Sequence, residues 1–507
     1  MNKGLMPCRN RLRVTMLCFV LTCCSIVSGK NMVKGYVFLD ANRNGVMDKG
    51  EAGIAHIPVS NGEVVTETDA NGRFRLPLEQ GQSVFPILPA DYTIDSRVPN
   101  SRFFYAVTVP KQDVNFALIS KPVKTAFRLN AIGDVQVGNY QELDYATRTL
   151  WPELLLTDSA EVNLFLGDLV NNNISFYPDM LALMDRLPSQ SWTLLGNHDR
   201  DKDSIAENQN RTYNKTFGAD VYAFNEGQVH FIVLNNVHAD GKRGYVARLS
   251  DRQLSFVRNE LAFVPADRKI VLTMHIPLVG TSNADSLLAL LQGRGEVLAL
   301  TGHTHQVHRF FRKTQGMSLH ELNAGAACGF WWVGEKDWDG VPAALMQGGT
   351  PRCYFVIDFQ GADYRFRCKA IGQDASRQMT VWVTGIDTLD THLRDMRKVE
   401  PGTVMMTVFG ACDSTSVRFR IDGGAWVTCN RGKMVDANVA RAREMNLTDV
   451  YPTKYNRINP LRSRNSSQLW VYTLPAEYRQ GAHLIEVEAT DRFGFSATGR
   501  RTFCFPR

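Results

Sequence analysis

Five short blocks of this sequence hold residue types that suit metal-assisted chemistry. They are Gly133-Asp134-Val135-Gln136, Gly167-Asp168 with Asn171, Gly196-Asn197-His198-Asp199, a single His275, and Gly302-His303-Thr304-His305. Four of the chain's 11 histidines fall in these blocks, too many for scattered core or surface histidines. Two divalent ions about 3.5–4 Å apart can clamp a phosphoryl group and activate a water for in-line attack. Such a pair needs one bridging carboxylate, several imidazoles and some neutral oxygens, and these blocks offer that set. Glycines beside the ligands let the backbone turn sharply under bulky side chains.

The elements that must position the blocks are visible as apolar runs. FRLNAIGD, EVNLFLGD, WTLLGNHD, VHFIVLNN, KIVLTMH and EVLALTGH read as strands. They alternate with helical stretches: YQELDYATRTLWPELL, FYPDMLALMDRL, DRQLSFVRNELAFV and DSLLALLQGR. Unbroken apolar strands alternating with helices imply a sheet buried on both faces, an α/β layer structure. Every candidate block sits at the carboxyl end of a strand, where sites assemble in open α/β sheets.

The order and spacing of GDLVN, GNHD and GHTH resemble the calcineurin-like metallophosphoesterases over about residues 125–330. The resemblance implies a central α/β four-layer sandwich and a hydrolase of phosphate mono-, di- or pyrophosphate esters with two divalent metals (Mn, Mg, Fe or Zn). It implies that Asp168 bridges them. Asp134, position 136 and His305 complete the first site; Asn197, His275 and His303 complete the second. His198 would protonate the leaving oxygen, with Asn171 and Asp199 in supporting positions. Two positions depart from the family pattern. Gln136 stands where a His is usual, and its amide oxygen is a harder, weaker ligand that favours Mg or Mn over Zn. Asn171 stands where many members carry an Asp that orients the catalytic His.

The chain has 507 residues, 44% apolar and 21% charged, an ordinary globular balance with room for several domains. Residues 1–29 read as a signal peptide: Lys3, Arg9, Arg11 and Arg13, then the apolar VTMLCFVLTCCSIV, then Ser28 and Gly29. An alternative is a lipid anchor at Cys24. Either makes the protein exported, periplasmic or cell-surface. Removing four basic and no acidic residues takes the net charge from +6 to +2, which gives no support to nucleic-acid binding. No later segment is long and apolar enough for a membrane span. The expected partner is a small phosphorylated substrate.

Residues 30–120 carry short β-like runs with turn punctuation and read as an N-terminal β-sandwich, joined at Lys121-Pro122. The catalytic block spans 121–377. Residues 378–507 return to β patterning, immunoglobulin-like in spacing, with the polar stretch between Asn430 and Ser467 read as a long loop. Over its whole length the chain resembles a three-part subfamily of exported bacterial calcineurin-like phosphoesterases. In that subfamily Asp-x-Gln is tolerated.

Three smaller signals remain. DANRNGVMDKGE, Asp40 to Glu51, fits the D-x-N-x-N-G-x5-E calcium template at every fixed position. Asp40, Asn42, Asn44 and Glu51 would give side-chain oxygens, Val46 a carbonyl and Asp48 a direct or water-mediated contact. The strand-like VKGYVFLD before it excludes an EF-hand helix pair; the loop resembles those of adhesin B-type repeats, or is a turn without metal. Trp331 and Trp332, with Trp338 nearby, form a substrate wall or pack ordinarily. Cys353 and Cys368 flank a hairpin symmetrically, as a disulfide or as buried thiols. The rival to a hydrolase is a non-catalytic exported surface or carbohydrate-binding protein; a phosphatase of exported protein partners would need a basic groove the sequence does not reveal.

Overall fold

Two sheets divide the central strands between them. In a computed structural model, residues 31–505 are described apart from 80, 95–104, 107–112, 387–389, 391 and 448–460. The signal peptide and Cys24 lie outside the described residues. One central sheet has five strands, in the order Ser191–Thr193, Val162–Phe165, Ala126–Ile132, Cys353–Gln360 and Asp363–Ala370. Its first three strands are parallel. The other has six, in the order Tyr222–Glu226, Val229–Val233, Lys269–Thr273, Gly295–Thr301, Met317–Ala324 and Val307–Thr314, with four parallel strands in the middle. The apolar runs alone did not divide the strands between sheets. An apolar run reports burial on both faces but not which neighbour it pairs with.

Aromatic side chains join the two sheets. Trp192 of the first stacks on Phe224 of the second at 3.8 Å between ring centroids. Phe127 and Phe359 meet Phe231 edge-on, both at 6.4 Å. These rings exclude water from between the sheets and fix how the strand ends line up. Helix Tyr140–Pro152 starts directly after the first candidate block. Asn139 caps it, accepting from Glu142 N at 3.0 Å, and Glu142 reaches back to Gly138 N at 2.7 Å. This reciprocal pair pins the chain within two residues of Gln136.

The N-terminal segment forms two four-stranded sheets. It docks on the six-stranded sheet and a helix beside it: Asn225 N donates to Leu88 O at 2.9 Å, and Phe85 meets Phe256 of helix Asp251–Glu260 at 6.0 Å. Lys121 pairs with Glu226 at the joint. The Asp40–Glu51 loop follows the strand Met32–Leu39, as expected, with no helix before it. Asp40 accepts from Asn44 N and Gly45 N, and Glu51 from Ala41 N and Asp48 N. The amides of Asn42 and Asn44 both donate to Asp48. The oxygens a cation would take thus close the loop by hydrogen bonding, and Val46 is half exposed at its tip.

The C-terminal segment also forms two four-stranded sheets. The polar stretch after Asn430 is not all loop: Ala437–Leu447 is a helix. Its amphipathic signal is weak, and its packing residues Val439 and Ala440 are too small and few to mark a face in sequence. Cys353 pairs in register with Ala370, and Cys368 with Phe355, so the two cysteines are offset by two residues and are buried free thiols. No helix among the described residues is long and apolar enough to cross a membrane.

A buried ion pair fastens the C-terminal segment to the centre. Arg309 Nη1 lies 2.6 Å from Asp491 Oδ2, both side chains fully buried. Arg309 Nε donates to His320 Nε2 at 2.9 Å, and its guanidinium lies 4.7 Å over the Phe366 ring. Burial and the neighbouring Arg309 hold His320 well below its ordinary pKa, so it stays neutral and accepts. Asp491→Ala leaves that guanidinium buried and unpaired, which costs about 3–5 kcal/mol. Urea melting should show the loss. Proteolysis should cut first between the central and C-terminal segments.

Candidate metal centre

Each candidate block follows a strand, and three of the five turn through left-handed backbone. Asp134, Gln136, Asp168, His303 and His305 have φ of 43°, 50°, 50°, 74° and 49°. Non-glycine residues held there cost about 1–3 kcal/mol each and gather at functional sites. The blocks also crowd one another. A Cβ on Gly196 would fall 2.2 Å from Asp168 N, and one on Gly167 would fall 2.6 Å from His275 Nδ1. Only glycine permits this approach. Asp134, Asp168 and Asn197 come from the five-stranded sheet, and His275, His303 and His305 from the six-stranded sheet.

Asp168 is the centre of the cluster. Its Oδ2 lies 3.3 Å from His275 Nε2 and 3.3 Å from Gln136 Nε2; its Oδ1 accepts from His198 N at 2.7 Å. Ligand atoms of Asp168, His275 and His303 all lie within 4.8 Å of one another. His275 Nε2 is also 3.2 Å from Asn197 Oδ1. On the other side, His305 Nε2 is 3.5 Å from Asp134 Oδ1, and Asp134 accepts from His303 N at 2.9 Å. The structure therefore gathers all seven candidate ligands.

The imidazoles are oriented as ligands are. His275 Nδ1 is 2.8 Å from Leu166 O, and His305 Nδ1 is 2.6 Å from Gly329 O. A backbone carbonyl on one ring nitrogen fixes the tautomer and frees the other nitrogen as a lone-pair donor. His303 Nδ1 is buried with no hydrogen-bond partner, a costly state that a cation would relieve. Carboxylates, imidazoles and amide oxygens aimed at one space fit a divalent cation. Gln136 is the exception. Its amide nitrogen faces Asp168, while Cys328 Sγ lies 3.5 Å from its Oε1. Ligation by Oε1 requires a half-turn of the amide, which then presents Nε2 to the Cys328 sulfur.

Electrostatics agree with this chemistry. Burial and the neighbouring His275 hold His303 at about 3, and burial holds His305 at about 4, so both are neutral near pH 7. Burial would raise Asp168, but the charge and hydrogen bond of His275 hold it below the usual carboxylate range. Despite its burial, His275 is pushed up to about 9 by Asp168. A cation in this space displaces that proton, because a ligating imidazole is neutral. Burial and the charge of Asp168 raise Asp199 to about 7. Asp199 accepts from Leu169 N, Val170 N and Gly196 N, so it ties two ligand loops together without facing the cluster.

His198 is half-buried at the rim, lowered from its ordinary pKa by burial, and its Nδ1 has no partner. Asn171 does not hold it: the Asn171 amide oxygen accepts from Asn172 Nδ2 at 3.2 Å. The two tryptophans separate. Trp331 is half-buried and stacks on His305 at 4.5 Å. Trp332 is buried, with Nε1 donating to Val135 O at 3.0 Å, so it braces the backbone between Asp134 and Gln136 and is no exposed wall. Trp338 is fully exposed.

Sequence reasoning missed Cys328 and Tyr245. Cys328 lies in an alanine- and glycine-rich turn, and its buried thiol is also 3.6 Å from His305 Nδ1. Tyr245 comes from the hairpin Val237–Asp240/Gly244–Ala247, outside both large sheets. Its hydroxyl is 3.4 Å from His303 Nε2. Arg200, itself bonded to Gly244 O at 2.9 Å, lies 5.5 Å over the Tyr245 ring. No motif marks either residue; only the folded hairpin brings Tyr245 to the cluster. Tyr245→Phe should lower metal affinity by about 10–100-fold, the usual worth of a hydrogen bond behind a ligand. Metal titration of activity checks this, and the substitution should leave stability near wild type.

Residues 41–121 match the family model described as the N terminal of calcineurin-like phosphoesterase. Residues 127–307 match calcineurin-like phosphoesterase, and residues 321–496 its C terminal. No curated protein matches the chain. Among solved structures, a purple acid phosphatase, PPD1, from yellow lupin (Lupinus luteus) seeds is 13% identical at a TM-score of 0.33, over 62% of this chain and 67% of that one. The Thermus thermophilus sulfate thiohydrolase SoxB is 15% identical at 0.25, over 41% of this chain and 38% of that one. Scores this low carry no argument about this protein.

Proposed function

The chain carries the N-terminal, core and C-terminal domains of the calcineurin-like phosphoesterases, and on that premise we propose that it is a metal-dependent hydrolase of phosphate esters. The observation that carries the proposal is the convergence of buried carboxylate, imidazole and amide donors around Asp168 from both central sheets. Asp134, Gln136, Asp168 and His305 would hold one divalent ion, and Asp168, Asn197, His275 and His303 a second. Bound there, such ions neutralise phosphoryl charge and supply an activated water.

The chain's own residues do the rest. His198 is the proton donor to the leaving oxygen, standing at the rim with its backbone tied to Asp168. Trp331 covers one face of His305 and offers its other side to the leaving group. Tyr245 and Arg200 hold His303 from the opposite side. Export through the leader at residues 1–29 belongs to the same proposal.

The test is a panel of bis-p-nitrophenyl phosphate, p-nitrophenyl phosphate and a nucleoside diphosphate sugar, each with added Mg, Mn or Zn or with chelator. Hydrolysis of at least one substrate, lost with chelator and restored by metal, is expected. If no substrate turns over with any metal, the hydrolase reading fails and a binding-only protein takes its place.

A further inference from the structure

A second cavity, of about 370 Å³, lies between the Phe330–Arg352 region and the C-terminal helix Ala437–Leu447. None of the seven candidate metal ligands lines it. Phe330, Leu345, Ile371 and Met445 give it apolar walls. Arg352 also lines it and is only 4% exposed. Its one recorded hydrogen bond is from Nη1 to Thr149 Oγ1, at 3.3 Å. Its guanidinium lies 5.0 Å over the Trp332 ring.

No acid pairs with this buried cation among the described residues. Asp337 and Glu153 act on it through space, and Asp337 lines the cavity with Glu335, which pairs with Arg441 at 3.4 Å. Asp337 accepts from the backbone N–H of Asp339 and Val341; Glu153 accepts from Lys369 and Gly372 N. Burying a cation without a direct ion pair is costly, and folds seldom keep one without a use for it. The backbone makes room for it. A Cβ on Gly329 would fall 2.6 Å from Arg352 Cγ. Ala344, also on the cavity wall, is held at φ 42°. Strained backbone beside a cavity and a lone buried guanidinium is the pattern of a binding site.

We propose that this cavity binds a small organic oxyanion with an apolar body. The guanidinium fork of Arg352 takes the carboxylate or phosphate-type head group, for which its planar donors are suited. The body lies against Phe330, Leu345 and Ile371. Arg377, at the cavity and unpaired with any acid among the described residues, adds to the attraction. Phe330 meets Trp331 edge-on at 4.6 Å, and Trp331 stacks on His305, so the occupant sits two rings from the metal centre.

Calorimetry on the full chain, treated with chelator so that the metal centre holds no anion, tests the site with benzoate, phenylphosphonate and neutral benzamide. Benzoate or phenylphosphonate should bind, and the stronger of the two identifies the head group. Benzamide should bind about tenfold more weakly or worse, the worth of a hydrogen bond to a charged group. Arg352→Met should weaken the anions by about tenfold or more and leave benzamide unchanged. Leu345→Trp, which fills the cavity and leaves Arg352 in place, should block all three, and decides the matter if Arg352→Met does not fold. Absence of binding by both anions overturns the proposal, as does undiminished binding in a folded variant. Neither result bears on hydrolysis at the metal centre.

Discussion

Asp168→Asn should remove bound metal and lower phosphoesterase activity by more than about 10³-fold. The reasoning starts from shape. Asn is nearly isosteric with Asp and tolerates the left-handed backbone held at φ 50°. It can still accept from His198 N. What it lacks is the negative charge that stands against His275 and between the two donor groups. Metal-held oxygens supply several kcal/mol of transition-state stabilisation, and each 1.4 kcal/mol is about tenfold in rate. Metal analysis after dialysis should show both ions lost together, because Asp168 touches Gln136 of one donor group and His275 of the other. Loss of a single ion would mean that Asp168 does not bridge. Full retention of metal and rate would remove it from the centre altogether. Asp168→Ala should do the same damage and also strain the turn.

His198→Ala should keep its metal and lose rate, by about 10²–10⁴-fold, the range for a positioned proton donor. None of the seven candidate ligands depends on the His198 ring; only its backbone N–H touches Asp168. The loss should depend on the leaving group. p-Nitrophenolate departs with little help, so its ester should suffer least, and an alkyl ester most. Equal losses on both would assign His198 to phosphate binding instead of proton transfer. The unpartnered Nδ1 sharpens the expectation. With Asn171 turned to Asn172 and no carboxylate behind the ring, Asn171→Ala should cost little of what His198→Ala costs.

The candidate ligands were legible in the sequence. Asp134, Asp168, Asn197, His275, His303 and His305 each follow an apolar run, and a strand that ends in a tight turn leaves its last polar residue at the sheet's edge whatever the sheet's neighbours are. The strand and helix runs were legible for the same reason, since side-chain period reports local burial. The tertiary structure decided everything that depends on which segments meet. It divided the strands between two sheets, because pairing is chosen by contacts between distant residues such as Trp192 with Phe224. It brought Tyr245 from a separate hairpin to His303, put Cys328 against Gln136, and buried Trp332 while leaving Trp331 beside His305. It turned part of a polar stretch into the helix Ala437–Leu447, whose packing against the core closes the Arg352 cavity. A residue's type and its place on a strand are local properties, written along the chain. What stands opposite that residue is fixed only when the two sheets and the C-terminal segment pack together.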